Sequence, residues 1–220
     1  LSTSRRRCVA ILHFVTPVAC RSHDYICFLA FLQQSSNLIS INDAGNAIMR
    51  VETTPQVTGN RNSVRIQTQF SFTGGLLIMD SVHMPTGCSV WPAFWTNGQQ
   101  WPNTGEIDIV EGVNDYTNNQ ATVHTGVGCQ LPSSNVTQLG ISGAVVGGTN
   151  CAALQTGNQG CGVRASQTNS FGAAFNNNGG GVFASASFCS PLHAPPACRG
   201  ILISAISALG RLGCRRLFLL

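Results

Sequence analysis

The stretch Trp91-Pro-Ala-Phe-Trp-Thr-Asn-Gly-Gln-Gln-Trp-Pro-Asn-Thr-Gly-Glu-Ile-Asp-Ile-Val-Glu111 decides how this chain is read. Its last six residues hold three carboxylates, Glu106, Asp108 and Glu111, behind three tryptophans. In a strand successive side chains point to opposite faces, so Glu106 and Asp108 share one face while Ile107 and Ile109 pack into the other. Strict alternation would put Val110 next on the acidic face. One extra residue in a β-bulge re-aims the side chain that follows and returns Glu111 to that face. Like charges in a row on one strand face repel each other, so a fold avoids them unless the acids have a job.

Cleavage of a glycosidic bond suits two carboxylates with a third between them. A retaining glycosidase needs an ionised nucleophile and a protonated general acid, with carboxyl groups about 5–5.5 Å apart. Along a strand rising about 3.3 Å per residue, the Cα atoms of Glu106 and Glu111 would lie roughly 13–16 Å apart. Bulge and twist must therefore bring two long Glu side chains together over the shorter Asp108. The charges of Glu106 and Asp108 are expected to keep Glu111 protonated, as a general acid needs.

The run Gly105-Glu-Ile-Asp-Ile-Val-Glu-Gly-Val-Asn114, preceded by Val90-Trp-Pro-Ala-Phe-Trp95, resembles glycoside hydrolase family 16. It is most similar to the fungal secreted endo-β-1,3(4)-glucanases, or laminarinases, of the bulged-motif branch. Further segments carry the resemblance: Gly75-Leu-Leu-Ile-Met-Asp-Ser-Val-His-Met-Pro85, Thr117-Asn-Asn-Gln-Ala-Thr-Val-His-Thr125 and Phe175-Asn-Asn-Asn-Gly-Gly-Gly-Val-Phe183. It covers about residues 35–183. The resemblance implies an all-β chain folded as a β-jelly-roll sandwich (concanavalin A-like) with an open cleft. It also implies Glu106 as nucleophile, Asp108 as its assistant and Glu111 as acid/base. Trp91, Trp95, Trp101, Asn114 and His124 are the candidate substrate-binding residues. Indole faces stack on pyranose rings, and Trp95 and Trp101 sit near the acids beside a Gly/Asn/Pro loop, whereas Trp91 beside Phe94 suits the core equally well. His124 follows Gln120 and Thr122 on one strand face; if that strand pairs with the acidic one, His124 can reach Asp108 or the substrate.

Composition agrees with an all-β secreted protein: 9% of residues are charged, and 24 are Gly. At 220 residues the chain can bury a substantial core. The formal net charge is +4, yet eight of the twelve basic residues, all Arg, lie outside residues 35–183. Inside that span four Arg face seven acids, so no nucleic-acid surface is expected. Ten cysteines point to an oxidising compartment and a secreted, extracellular protein. Cys88, Cys129, Cys151 and Cys161 could form two disulfides in any of three pairings. Asn135-Val-Thr is a glycosylation sequon.

The rest is read in chain order. Arg5-Arg-Arg before Cys8–Ala19 has the basic-then-apolar order of a signal peptide, although the chain does not begin with Met. Ala47–Glu52 and Ser63–Phe70 alternate as half-buried strands do, and Leu76–Met79 reads as a strand buried on both faces. Residues 129–172 read as long loops pinned by disulfides, and Asn176-Asn-Asn-Gly-Gly-Gly as a flexible turn before a strand at Val182-Phe183. The family pattern stops at about Ala184. Three segments are therefore expected: 1–34 and 184–220 as unassigned flanks, out of frame with the family, and 35–183 as the catalytic domain of a sandwich incomplete at both ends. The nine-residue apolar run from Ile201 is far short of the roughly 20 residues a membrane helix needs.

The leading expectation is a monomeric retaining endo-hydrolase of β-1,3(4)-glucans that needs no cofactor or metal and contacts no membrane. Its rivals are a catalytically silent β-glucan-binding protein on the same sandwich, a non-functional truncated product, and a structural Ca²⁺ site built from Glu106, Asp108 and Glu111. Three acids on one short strand face do not wrap an ion as a loop does.

Overall fold

Two compact units make up the computed structural model, Leu1–Ile11 with Phe72–Leu220, and Leu12–Ser71; the described residues are 9–11, 38–43, 46–66, 72, 75–132, 140–187 and 201–202. Among them the strands are β1 (Val9–Ile11), β2 (Ile39–Ile41), β3 (Ala47–Met49), β4 (Gly75–Ser81), β5 (Ala93–Asn97), β6 (Glu106–Glu111), β7 (Gln120–His124), β8 (Ala144–Val146), β9 (Cys161–Arg164), β10 (Gly181–Ser187) and β11 (Ile201–Leu202). Among the described residues an α-helix, α1, spans Gly172–Asn177, and a 3-10 turn spans Ala153–Gln155.

In the larger unit, β1, β4, β10 and β11 form one sheet in that order, and β5-β6-β7-β9-β8 form the other. The core joins them. Leu77 and Phe183 from the first sheet meet Ile109 and Val110 from the second, with Met84, Phe171 and Phe175 filling the space. This is a sandwich of two sheets over one apolar layer. Phe175 and Phe183 pack ring to ring at 5.6 Å. Helix α1 is pinned by Asn176, whose carboxamide accepts from the Met84 amide and donates to the Met84 carbonyl, both at 2.9 Å. The turn back into β10 requires glycine: Gly180 has φ +90°, and a Cβ there would stand 2.0 Å from the Ser81 carbonyl oxygen.

The smaller unit holds the β2–β3 hairpin, with Ile39 opposite Met49. The expected strand at Ser63–Phe70 is absent from Ser63–Ile66, and the remainder lies outside the described residues. Alternation alone does not supply a partner strand. Instead Glu52 and Asn62 clasp each other, the Glu52 amide donating to the Asn62 carbonyl and the Asn62 amide to the Glu52 carboxylate, each at 2.9 Å. The Arg61 guanidinium binds the carbonyls of Glu52, Thr54 and Pro55.

Other expectations are corrected. Strand β4 is buried only at Leu77, so it is not covered on both faces. Within the presumed loops of residues 129–172, β8 and β9 complete the five-stranded sheet. The presumed flexible turn begins inside α1, and β10 runs three residues past Ala184, to Ser187. Cys151 and Cys161 are bonded to each other. Cys88 is a free, exposed thiol while Cys129 is held in a disulfide, so the four do not form two bridges among themselves. Part of the signal-like stretch, Val9–Ile11, pairs in parallel with Leu76–Ile78; the sequon at Asn135 lies outside the described residues.

Candidate active site

The acidic strand lies between β5 and β7, so its carboxylates are framed by a strand on each side. Register places Glu106 opposite Asn97 and His124, and Asp108 opposite Trp95 and Thr122. Directly opposed residues share a face, so these side chains gather on the face away from the core. The bulge is present. Phe94 pairs with Val110 and Trp95 with Asp108, leaving Ile109 unmatched. Ile109 and Val110 are both buried in the core, and Glu111 follows on the acidic face.

Two tryptophans bracket the acids by hydrogen bonding as well as by shape. The Trp91 indole N–H donates to Glu111 Oε1 at 2.8 Å. The Trp101 indole N–H donates to Glu106 Oε2. Trp101 is presented by the β5–β6 turn, which closes through the Gly98 amide on the Gly105 carbonyl at 2.9 Å and the Gln100 amide on Thr104 Oγ1 at 2.9 Å. Trp91, equally suited by sequence to core or cleft, is 67% exposed. Trp95 is half-buried beside Asp108.

Asp108 is buried, at 2% exposure, and its Oδ2 lies 3.2 Å from His124 Nε2. Burial pushes the Asp108 carboxyl up to about 6; contact with His124 opposes this, and the charges of Glu111 and Glu106 add to it. For His124, burial disfavours the imidazolium, but Asp108, Glu106 and Glu111 together outweigh it and hold the proton more tightly than usual. Between two glutamates, then, sits an acid that changes charge near neutral pH.

A polar line continues across the sheet. Thr122 Oγ1 lies 3.5 Å from Glu111 Oε2, and Gln120 Nε2 donates to Thr122 Oγ1 at 3.2 Å. Arg164 Nη2 donates to Gln120 Oε1 at 2.8 Å, while its guanidinium stacks 4.5 Å over the Tyr116 ring. Asn119, a residue sequence reasoning passed over, binds the backbone on either side of Val110. Its place in an Asn-rich turn hid it, and Arg164 was hidden because β9 was read as loop.

Asn114 has a different setting. With φ +54° it shapes a turn, and its side-chain oxygen accepts from the Ser89 amide at 2.9 Å. Glu106, Asp108 and His124 also offer donor atoms that all lie within 4.8 Å of one another. An imidazole in that set suits a transition metal better than Ca²⁺.

The sequence profile of the XgeA-like, catalytic GH16 domain matches residues 30–189. A probable glycosidase of Schizosaccharomyces pombe is 45% identical over 71% of this chain and 38% of its own length. A probable endo-1,3(4)-β-glucanase of Aspergillus niger is 41% identical over 69% of this chain and 20% of its own. The chain thus spans well under half the length of these relatives. Among solved structures, laminarinase 16A from Phanerochaete chrysosporium, with β-glucans in both donor and acceptor sites, superposes with a TM-score of 0.64 and 39% identity over 73% of this chain and 53% of that one. With that likeness the sandwich is a β-jelly roll.

Proposed function

The chain belongs to the glycoside hydrolase family 16 catalytic domains, and from that premise we propose that it cleaves β-1,3(4)-glucans internally with retention of configuration. One observation carries the reading: Glu106 and Glu111 stand on one face of a bulged strand, each bound by an indole N–H, with buried Asp108 between them.

In this reading the Glu106 carboxylate attacks the anomeric carbon while Glu111 gives its proton to the departing glycosidic oxygen. Glu111, now ionised, takes a proton from water, which cleaves the glycosyl–Glu106 ester and restores both groups. Asp108 and His124 hold the charge of the nucleophile's surroundings. Trp91, Trp95 and Trp101 supply ring faces for sugar, and Thr122 steadies Glu111. Residues 35–183 are the proposed catalytic domain, acting as a monomer on polysaccharide outside the cell. The disulfides at Cys129, Cys151 and Cys161 support that location, and among the described residues no helix is long and apolar enough to cross a membrane.

The test is release of reducing ends from laminarin and from a mixed-linkage glucan by the full chain, beside Glu106→Gln. Release by the unaltered protein and none by the variant is the expected result. Retention on insoluble β-glucan without release would identify a silent binding protein instead, and near-normal turnover by the variant would remove Glu106 from the nucleophile's role.

A further inference from the structure

The bulge that brings Glu111 to the acidic face also disrupts the strand's pairing. Between β6 and β7 the ladder runs from Glu106 opposite His124 to Asp108 opposite Thr122 and goes no further. Beyond it, among the described residues, the Ile109 carbonyl and the Glu111 amide have no ladder partner on β7. Both groups lie in or beside the buried core, where an unpaired backbone group is costly.

One side chain takes the place of the missing ladder partner. Asn119 Oδ1 accepts from the Glu111 amide at 3.1 Å, and Asn119 Nδ2 donates to the Ile109 carbonyl at 2.9 Å. A carboxamide offers one acceptor and two donors, so a single planar group satisfies both. Asn119 is itself fixed at 2% exposure: its amide donates to Ser170 Oγ at 2.9 Å, and its carbonyl accepts from the Ala165 amide at 2.8 Å. Ser170 Oγ in turn donates to the Gln167 carbonyl at 2.6 Å. The neighbouring Asn118 is occupied elsewhere, on the carbonyls of Ala165 and Gln167.

We infer that Asn119 is the positioning residue for the Glu111 carboxylate, holding the bulge in the one conformation that aims this side chain at the leaving oxygen. Strand parity gives the reason: a relaxed strand directs successive side chains to alternate faces, so releasing the bulge moves Glu111 relative to Glu106 and Asp108. Asn119 is buried, and its carboxamide is taken up by backbone groups. It acts on Glu111 alone, because Glu106 and Asp108 lie in the regularly paired part of β6. The inference rests on the acid/base reading of Glu111, and its test separates the two.

That test compares Asn119→Ala with the unaltered full chain on two substrates, laminarin and the 2,4-dinitrophenyl β-glycoside of laminaribiose. Dinitrophenolate leaves without protonation, so the second substrate needs the Glu106 carboxylate but no acid in its first step. Azide replaces water in the second step without a base, attacking the anomeric carbon of the glycosyl–Glu106 ester to give a glycosyl azide and free carboxylate. If the unaltered chain cleaves neither substrate, the hydrolase reading fails, whatever Asn119 does. If it cleaves both, Asn119→Ala is expected to lose about 100-fold in kcat/KM on laminarin, within the usual contribution of a general acid. On the aryl glycoside it should stay within about 5-fold, with turnover restored by azide and glycosyl azide as product. Equal loss on both substrates, or no response to azide, overturns the assignment. Should Asn119→Ala not fold, Asn119→Asp, which keeps the acceptor and loses the donor, is read by the same ratio. If neither variant folds, Asn119 is a stability residue and the positioning role falls.

Discussion

His124 and Asp108 meet across neighbouring strands, with 3.2 Å between Nε2 and Oδ2, and both are almost fully buried. They are not direct register partners: His124 stands opposite Glu106, and Asp108 opposite Thr122. The contact is therefore diagonal, and it ties the neighbour of one glutamate to the acid between the two. Asp108→Asn keeps the shape and removes the charge. Turnover on laminarin should fall by about 10- to 100-fold, because the charge between the two glutamates is lost. The thermal midpoint at pH 8 should stay level or rise, since an ionised buried carboxylate is costly there. A steep fall in midpoint together with normal turnover would reverse this assignment and make Asp108 purely structural.

The pair also predicts how stability depends on pH. Asp108 has a folded pKa of about 6 against 3.8 unfolded, and His124 is raised above its usual 6.5. In both cases the folded state binds the proton more tightly, so ∂ΔG/∂pH of unfolding is negative where they titrate. The contribution from Asp108 is fully present below its unfolded value and is lost as pH rises through 6. At about 1.4 kcal/mol per unit, it amounts to about 3 kcal/mol at most. Urea unfolding from pH 5 to pH 8 should show a falling midpoint, and Asp108→Asn should flatten the curve. A midpoint that climbs over this range would show that the folded state does not bind these protons more tightly than the unfolded chain.

Gly160 and Gly157 make a matched pair, since both have φ +60°. A Cβ at Gly160 would stand 2.5 Å from the Val123 carbonyl oxygen and 2.9 Å from His124 Nδ1, whereas one at Gly157 would meet nothing within 4 Å. Gly157→Ala should cost only the left-handed strain, about 1–2 kcal/mol. Gly160→Ala must also displace β7, so its thermal midpoint should fall further, by at least about 4 °C more, and its activity should drop as His124 moves. Equal midpoints for the two variants would mean that His124 has room to yield.

Trp101→Phe keeps an aromatic face and removes the N–H that Glu106 accepts; Trp91→Phe does the same at Glu111. A hydrogen bond to a charged group contributes about 1.5–3 kcal/mol; at Glu106 it fixes the direction of attack, and at Glu111 it strengthens as the proton leaves and charge develops. Each variant should therefore lose about 10-fold in kcat while KM changes by less than about 3-fold. Steady-state kinetics on laminarin separates these effects; a change confined to KM would leave the indoles with stacking alone.

The acidic strand was legible because carboxylates at spacings of two and then three break strand parity in the one way a bulge repairs. His124 was legible because Gln120, Thr122 and His124 keep that parity on the neighbouring strand. Asn119 was not. Its partners are backbone groups exposed only once the bulge exists, and a run of Asn reads as a turn whichever of them has a further task. Strands β8 and β9 escaped because they are three and four residues long and carry Gly162 where a side chain would collide with Gln120. Ser63–Ile66 shows the converse, strand-like alternation without a strand. Cysteine spacing left three pairings open, because only coordinates bring Cys151 and Cys161 to a Cα separation of 4.5 Å.

All three tryptophans of the chain, Trp91, Trp95 and Trp101, lie on β5 or beside the acids it frames. The indole fluorescence of this sequence is thus a signal from the surroundings of the acids. Trp91 and Trp101 each donate to a carboxylate, so a sugar laid across the rings alters the emitting state directly. The molecule carries its own optical probe at the place where its chemistry is proposed, and an oligosaccharide titration followed by emission needs no added label.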